Sequence, residues 1–174
     1  LGALARRGRR SAPAERGAAG ILAAGEARRY GGIKLLATLG GRPLLQHVLD
    51  AATRSTLGDV VLVVGHSADE VLAAVRLDRA RAVRNESYAE GQSTSLRAGL
   101  RAVGEADAAV VLLGDQPRVT AALLDALVER QRTSGAVAVM SSWRGRRSPP
   151  TLVHRDLWSA LAALSGDVGA REVL

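Results

Sequence analysis

Four short clusters hold residue types suited to handling phosphate groups. The first runs from Leu22-Ala23-Ala24-Gly25 through Arg28 to Lys34 and directly follows an apolar stretch. Small residues at Ala23, Ala24 and Gly25 let backbone N–H groups come close to a ligand, and a glycine-flanked turn presents several amides to phosphate oxygens. Arg28 and Lys34 add cations. The spelling is neither a Walker A motif nor a Gly-x-Gly-x-x-Gly fingerprint, and its glycines alone would describe an ordinary surface loop. Lys34 shifts that balance: it is the single lysine beside 23 arginines in 174 residues, in a chain that otherwise writes Arg.

The second cluster, Gly114-Asp115-Gln116-Pro117, ends the apolar run Ala108–Leu113. A carboxylate at the carboxyl end of a strand in an open α/β sheet can hold Mg²⁺ against nucleotide phosphates, or equally stabilise a turn before Pro117. The third is Gly91-Gln92-Ser93-Thr94-Ser95 at the start of an expected helix. Ser93 suits an N-cap there, and the hydroxyls up to Ser95 beside Gln92 suit a nucleobase or ribose. The last comprises Ser148-Pro149-Pro150 and then Gly166-Asp167-Val168-Gly169-Ala170-Arg171, where Asp167 fits either an N-cap or a metal ligand alongside Asp115. Arg144, Arg146 and Arg147 fit a solvated hairpin better than an anion site. His47, His66 and His154 fall on separate elements without ligand spacing, and no Ser/His/Asp arrangement emerges.

Positioning these clusters requires alternating strands and helices. From Ala19 onward, short apolar runs alternate with amphipathic segments, the signature of βαβ units around a mostly parallel sheet. Buried strands are expected at Gly20–Ala24, Val60–Val64 and Ala108–Leu113, with a further strand at Arg81–Arg84. A short strand at Leu35–Leu39 closes at Gly40-Gly41, and Pro43 then suits the first turn of a helix with the stripe Leu44, Leu45, Val48, Leu49 and Ala52. Ser67-Ala68-Asp69-Glu70 spells a capping box for a helix over Ala68–Arg76. A helix over Ser93–Val103 and another capped by Thr120, burying Leu123, Leu124, Leu127 and Val128, follow the same logic. Later strands are expected at Ala136–Met140 and Thr151–Val153, flanking an Arg-rich turn, and a helix over Arg155–Leu164.

Composition narrows the chemistry. The chain is 47% hydrophobic, enough for a substantial core, and contains no cysteine, which removes thiolate metal sites and thiol nucleophiles. Its longest apolar runs fall well short of the roughly 20 residues of a membrane helix. Of the net charge of +7, more than half comes from five arginines against one glutamate in the first 18 residues. Those residues are expected to form a flexible Arg/Ala-rich tail, with one domain over 19–174. The remaining body is only mildly basic and carries four aromatic residues, a poor supply of base-stacking platforms for nucleic acid.

In their order along the chain, the four motifs resemble the molybdenum-cofactor cytidylyltransferases, MobA-like members of the nucleotidyltransferase superfamily. The matching pieces are Leu22-Ala-Ala-Gly25 with Arg28 and Lys34, Tyr88-Ala-Glu-Gly-Gln-Ser-Thr-Ser-Leu96, Leu113-Gly-Asp-Gln-Pro117 and Gly166-Asp-Val-Gly-Ala-Arg171. The resemblance implies a three-layer α/β/α fold with a mostly parallel, Rossmann-like sheet of the nucleotide-diphospho-sugar transferase type, here expected to lack the C-terminal strand and helix with which relatives continue. The implied reaction transfers CMP from CTP to a molybdopterin-type molybdenum cofactor and releases pyrophosphate, with Mg²⁺ as the metal.

By the same resemblance, Lys34, Arg28 and Asp115 are catalytic. Leu22, Ala23, Ala24, Gly25, Arg28, Lys34, Gln92, Ser93 and Ser95 bind the nucleotide. Asp115 and Asp167 hold the metal, and Pro149 and Arg171 border the pterin. Ala23-Ala24-Gly25 resembles the cytidylyl branch, where guanylyl relatives usually carry Ala-Gly-Gly. A guanylyltransferase, a sugar-1-phosphate nucleotidyltransferase and a non-catalytic nucleotide-binding domain are the alternatives. The expected partners are a nucleoside triphosphate and the molybdopterin cofactor, with a molybdoenzyme or its chaperone as recipient. Neither nucleic acid nor membrane is expected, and the location expected is cytoplasmic.

Overall fold

The computed structural model describes residues 14–25 and 33–166. Its centre is β1 (Gly17–Ala23), flanked by two strands that are apolar along almost their whole length, β4 (Asp59–Val64) and β6 (Ala108–Leu113). Both pair with β1 in parallel. β5 (Arg81–Arg84) adds outside β4, also parallel. On the other side β8 (Arg146–His154) runs antiparallel to β6, and β7 (Ala138–Trp143) runs antiparallel to β8. The sheet order is β5-β4-β1-β6-β8-β7. A separate two-stranded ribbon, β2 (Thr38–Leu39) with β3 (Arg42–Pro43), turns at Gly40 and Gly41, both at positive φ.

The unbroken apolar runs follow from burial on both faces. On β4, Val60, Leu62 and Val64 face one core, while Val61 and Val63 face the other. The first core is closed by α1 (Leu44–Arg54), α2 (Ala68–Ala74) and α4 (Ala121–Ser134), through Leu45, Val48, Leu49, Val71, Leu124 and Leu127. The second is closed by α3 (Gln92–Ala102) and α5 (Trp158–Ala162), through Leu96, Leu100 and Leu161. Three layers result, as expected. Thr120 caps α4 by accepting from the Leu123 N–H at 3.2 Å.

Several boundaries differ from expectation. Ala14 is buried and its N–H donates to Gln131 Oε1 at 2.9 Å, while Gly17 already belongs to β1, so the domain reaches into the segment expected to be tail. Leu35–Leu39 is not one strand: Lys34–Leu36 forms a 3-10 turn, and only Thr38 and Leu39 are extended. The capping box is not made, because Ser67 sits at φ 55° and its side chain makes no cap bond; α2 ends at Ala74. Arg155–Leu164 divides into a 3-10 turn, Arg155–Leu157, and α5. Among the described residues no helix is long and apolar enough to cross a membrane.

Candidate active site

Because β1, β4, β5 and β6 are parallel, their carboxyl ends open on the same side, and loops leaving them share that rim. β1 delivers Ala23, Ala24 and Gly25 there, and β6 delivers Gly114 and Asp115. The two ends are tied by the Gly114 N–H donating to the Leu22 carbonyl at 3.0 Å. A Cβ on Gly114 would lie 3.0 Å from both Leu35 Cδ2 and Leu45 Cδ1, so a side chain there would push against the packed turn that carries Lys34.

That turn places the Lys34 ammonium 2.6 Å from Asp115 Oδ2, although the residues are 81 positions apart. Both side chains remain open to solvent, 46% exposed for Lys34 and 31% for Asp115. Together they line a cavity of about 700 Å³ whose other walls include Ala24, Tyr88, Gln92 and Ser95. Leu22, Ala23 and Gly25 also line it, so three of the four expected clusters meet in one space.

The expected residues do not all arrive there. Ser93 is fully buried, does not line the cavity, and gives its N–H to the Gly166 carbonyl at 3.1 Å. Arg28, Asp167 and Arg171 lie outside the described residues. Pro149 lies in a second cavity of about 550 Å³, together with Gln116, Pro117, Ser141 and Ser148. Its outer wall is the β7–β8 hairpin: β8 pairs with β6 only up to Thr151 opposite Val111, so residues 146–150 continue beyond the last pair between the two strands. Ser141 Oγ lies 2.8 Å from the carbonyl oxygens of Ser148 and Pro150, which ties the base of this wall. Gln116 reaches Ser148 Oγ with Nε2 at 3.4 Å, while its Oε1 is buried without a hydrogen-bond partner.

Three residues of the rim escaped assignment from sequence. Tyr88 lines the first cavity, packs its ring against His66 with centroids 5.7 Å apart, and occupies the space that a side chain at Gly65 would need. Its place at the head of the Tyr88–Leu96 motif is the sequence signal for it. Gln116 was visible only as the neighbour of Asp115. Asn85, buried below the third cluster, carries no local signature at all.

Among the described residues no group of three or more His, Asp or Glu side chains gathers that could hold a metal by itself. Asp115 offers one hard oxygen donor at the cavity wall, the kind of ligand Mg²⁺ takes when substrate phosphates and water supply the others. The residues present therefore fit a divalent ion that arrives with a nucleotide.

A parallel-stranded α/β sheet with a small-residue loop, a lysine and a carboxylate at its carboxyl rim defines a protein of the nucleotide-handling class. Residues 19–174 match the MobA-like NTP transferase domain, and the chain belongs to that family. It is 32% identical over 161 residues to nicotine blue oxidoreductase of Paenarthrobacter nicotinovorans, covering 88% of this chain and 79% of that protein. It is 40% identical over 115 residues to the bifunctional protein GlmU of Burkholderia orbicola (strain MC0-3), covering 64% of this chain but spanning only 25% of that relative's length. Among solved structures, the homologue of Mycobacterium tuberculosis rv0371c from Mycobacterium sp. strain JC1 superposes with TM-score 0.79 at 34% identity, over 91% of this chain and 79% of that one. Rv0371c of Mycobacterium tuberculosis H37Rv in complex with manganese gives TM-score 0.76 at 26% identity, over 91% and 81%.

Proposed function

We propose that the chain is a nucleotidyltransferase domain that transfers CMP from CTP to a molybdopterin-type acceptor and releases pyrophosphate. The observation that carries this is the Lys34–Asp115 pair in the first cavity, with a second cavity opening at the very next residue, Gln116. One space suits the triphosphate and the other the acceptor. The choice of CTP rests on the spelling Ala23-Ala24-Gly25.

The chemistry asks little of a general base. An ionised phosphate oxygen of the acceptor attacks the α-phosphorus in line; the new P–O bond forms as the bond to the bridging oxygen breaks, and pyrophosphate leaves with the electron pair. Positioning and charge neutralisation then decide the rate. The backbone at Ala23–Gly25 cradles the phosphates, and Lys34 offsets charge on the leaving pyrophosphate. Asp115 is the described residue that would hold Mg²⁺, which would supply neutralisation of triphosphate charge when bound. Lys34 Nζ lies 2.6 Å from Asp115 Oδ2, so the carboxylate that would hold the ion also keeps the ammonium beside the space assigned to the phosphates. Arg28 as a second catalytic cation, Asp167 as a second metal ligand, and Arg171 and Pro149 for the pterin complete the proposed assignment.

The experiment is pyrophosphate release from CTP and Mg²⁺ with and without molybdenum cofactor, with GTP as competitor. Release that requires the cofactor, stops with chelator and resists GTP is expected. Tighter binding of GTP would reject the cytidylyl assignment, and redox turnover in place of pyrophosphate release would reject the whole scheme.

A further inference from the structure

Below the third cluster lies a buried polar knot that settles what each hydroxyl is able to do. Asn85 is 7% exposed, Thr94 and Ser95 each 5%. The Asn85 amide has one orientation, because its Oδ1 lies 3.1 Å from the Ser87 N–H, a group that only donates. Nδ2 is therefore the donor end, and it reaches Thr94 Oγ1 at 2.8 Å and Ser95 Oγ at 3.0 Å. Each hydroxyl thus accepts from Asn85 and keeps one proton to give.

The two hydroxyls spend that proton differently. Thr94 Oγ1 donates within the backbone, with the Gly91 carbonyl at 2.8 Å and the Ser87 carbonyl at 3.0 Å, so Thr94 is a fastener for the 87–91 loop. Among the described residues Ser95 Oγ makes no such bond to a backbone carbonyl, and Ser95 lines the cavity. With its oxygen already accepting from Asn85, Ser95 presents its proton to whatever acceptor fills the cavity, water or a bound ligand.

Topology says which part of the ligand. The Asn85–Ser95 knot sits beyond β5 and beside the end of β4, where the Asn85 N–H donates to the Val64 carbonyl at 2.7 Å. The charged pair follows β6, and β1 lies between. Among the described lining residues the cavity therefore carries its charges, Lys34 and Asp115, at one end and uncharged side chains, Tyr88 and Ser95, at the other.

We propose that Asn85 is a positioning residue that fixes Ser95 as a hydrogen-bond donor to an acceptor atom on the nucleobase. This rests on the first cavity being the nucleotide site. The test is calorimetric titration of the full chain and its variants with CTP plus Mg²⁺, and separately with pyrophosphate. Ser95→Ala should weaken CTP about three- to tenfold, the scale of one hydrogen bond, and leave pyrophosphate affinity unchanged. Asn85→Asp turns the polarity over, since a carboxylate accepts from Ser95 and aims its lone pairs at the ligand. It should weaken CTP comparably, and Asn85→Asp with Ser95→Ala should be no weaker than the worse single variant. Thermal melts of the variants separate this effect from loss of fold. Wild-type CTP affinity in Ser95→Ala, an equal loss for pyrophosphate, or multiplicative losses in the double variant would each overturn the proposal. Failure of the unaltered chain to bind CTP would instead overturn the nucleotide-site assignment beneath it.

Discussion

The Lys34 ammonium lies 2.6 Å from Asp115 Oδ2, joining the turn after the first loop to the end of the central strand β6. Neither partner is deeply buried, so the pair contributes little to stability, on the order of 0–1 kcal/mol. It holds a compact cation and a carboxylate together on the wall of the first cavity.

Lys34→Ala and Asp115→Ala should each lower turnover by about 100-fold, the scale of removing one preorganised electrostatic contact. Their melting temperatures should stay close to that of the unaltered protein. Lys34→Arg tests shape separately from charge, since a planar guanidinium does not replace a point charge; recovery below about one tenth of turnover is expected. Pyrophosphate release and a thermal melt on the same samples check both statements.

Gly65→Ala should damage the cavity through Tyr88. The added Cβ would stand 2.6 Å from Tyr88 Cβ and 2.8 Å from Ala24 Cβ, atoms fixed to the backbone, so neither can swing aside. Overpacking of this kind costs about 1–3 kcal/mol, and a drop of roughly 2–10 °C in melting temperature is expected at this chain length. CTP affinity, measured well below that melt, should fall with it; an unchanged affinity would remove Tyr88 from the site.

Arg79 gathers the carbonyls at the end of α1 and the loop beyond it. Its guanidinium donates to Thr53 at 2.6 Å, to Leu57 and Gly58 at 2.8 Å, and to Ala52 and Ser55 at 3.1 and 3.2 Å. Arg79→Ala should cost about 1–2 kcal/mol, with several carbonyls handed back to water. Arg79→Lys should rescue little, because an ammonium cannot span a five-carbonyl fork. Urea titration of the three proteins gives the comparison.

Acid should unfold the domain partly through Asp107 and Asp50. The Arg16 backbone N–H, 2.9 Å from Asp107 Oδ2, holds that carboxyl below its ordinary value of 3.8. For Asp50 burial pushes upward, but hydrogen bonds from Gln46 and Arg42 outweigh it and the net direction is also down. A carboxyl lowered in the folded state adds stability that is full above the ordinary value and is lost as pH falls below it. Asp107→Asn should therefore flatten the decline in stability below about pH 4 and lower stability at pH 7. Urea unfolding at a series of pH values would show it; an unaltered acid slope would count against it.

Much of this fold is written locally. Ala108–Leu113 has the expected bounds because an unbroken apolar run between Asp107 and Gly114 has few other uses, and Arg81–Arg84 also has the expected bounds, its Ala82 and Val83 flanked by exposed arginines. Ser67 misled because a capping box describes side-chain chemistry, whereas the turn at Gly65 holds Ser67 in a left-handed conformation that removes its hydroxyl from the helix end. Lys34 and Asp115 were legible singly, one by rarity and one by position; their contact across 81 residues belongs to the sheet order. Asn85 was invisible because one buried amide at a strand end matters only through the helix that later packs over it.

Asp115 and Gln116 are consecutive, yet one lines the first cavity and the other the second. The outer wall of the second is supplied by the β7–β8 hairpin alone, while the first is built from the ends of β1 and β6, the loop after β5, and α3. Under the proposed assignment, donor and acceptor are encoded in separate stretches of chain that touch at one peptide bond, and substitutions within 141–150 are expected to change the recipient of the transferred group while leaving CTP affinity unchanged.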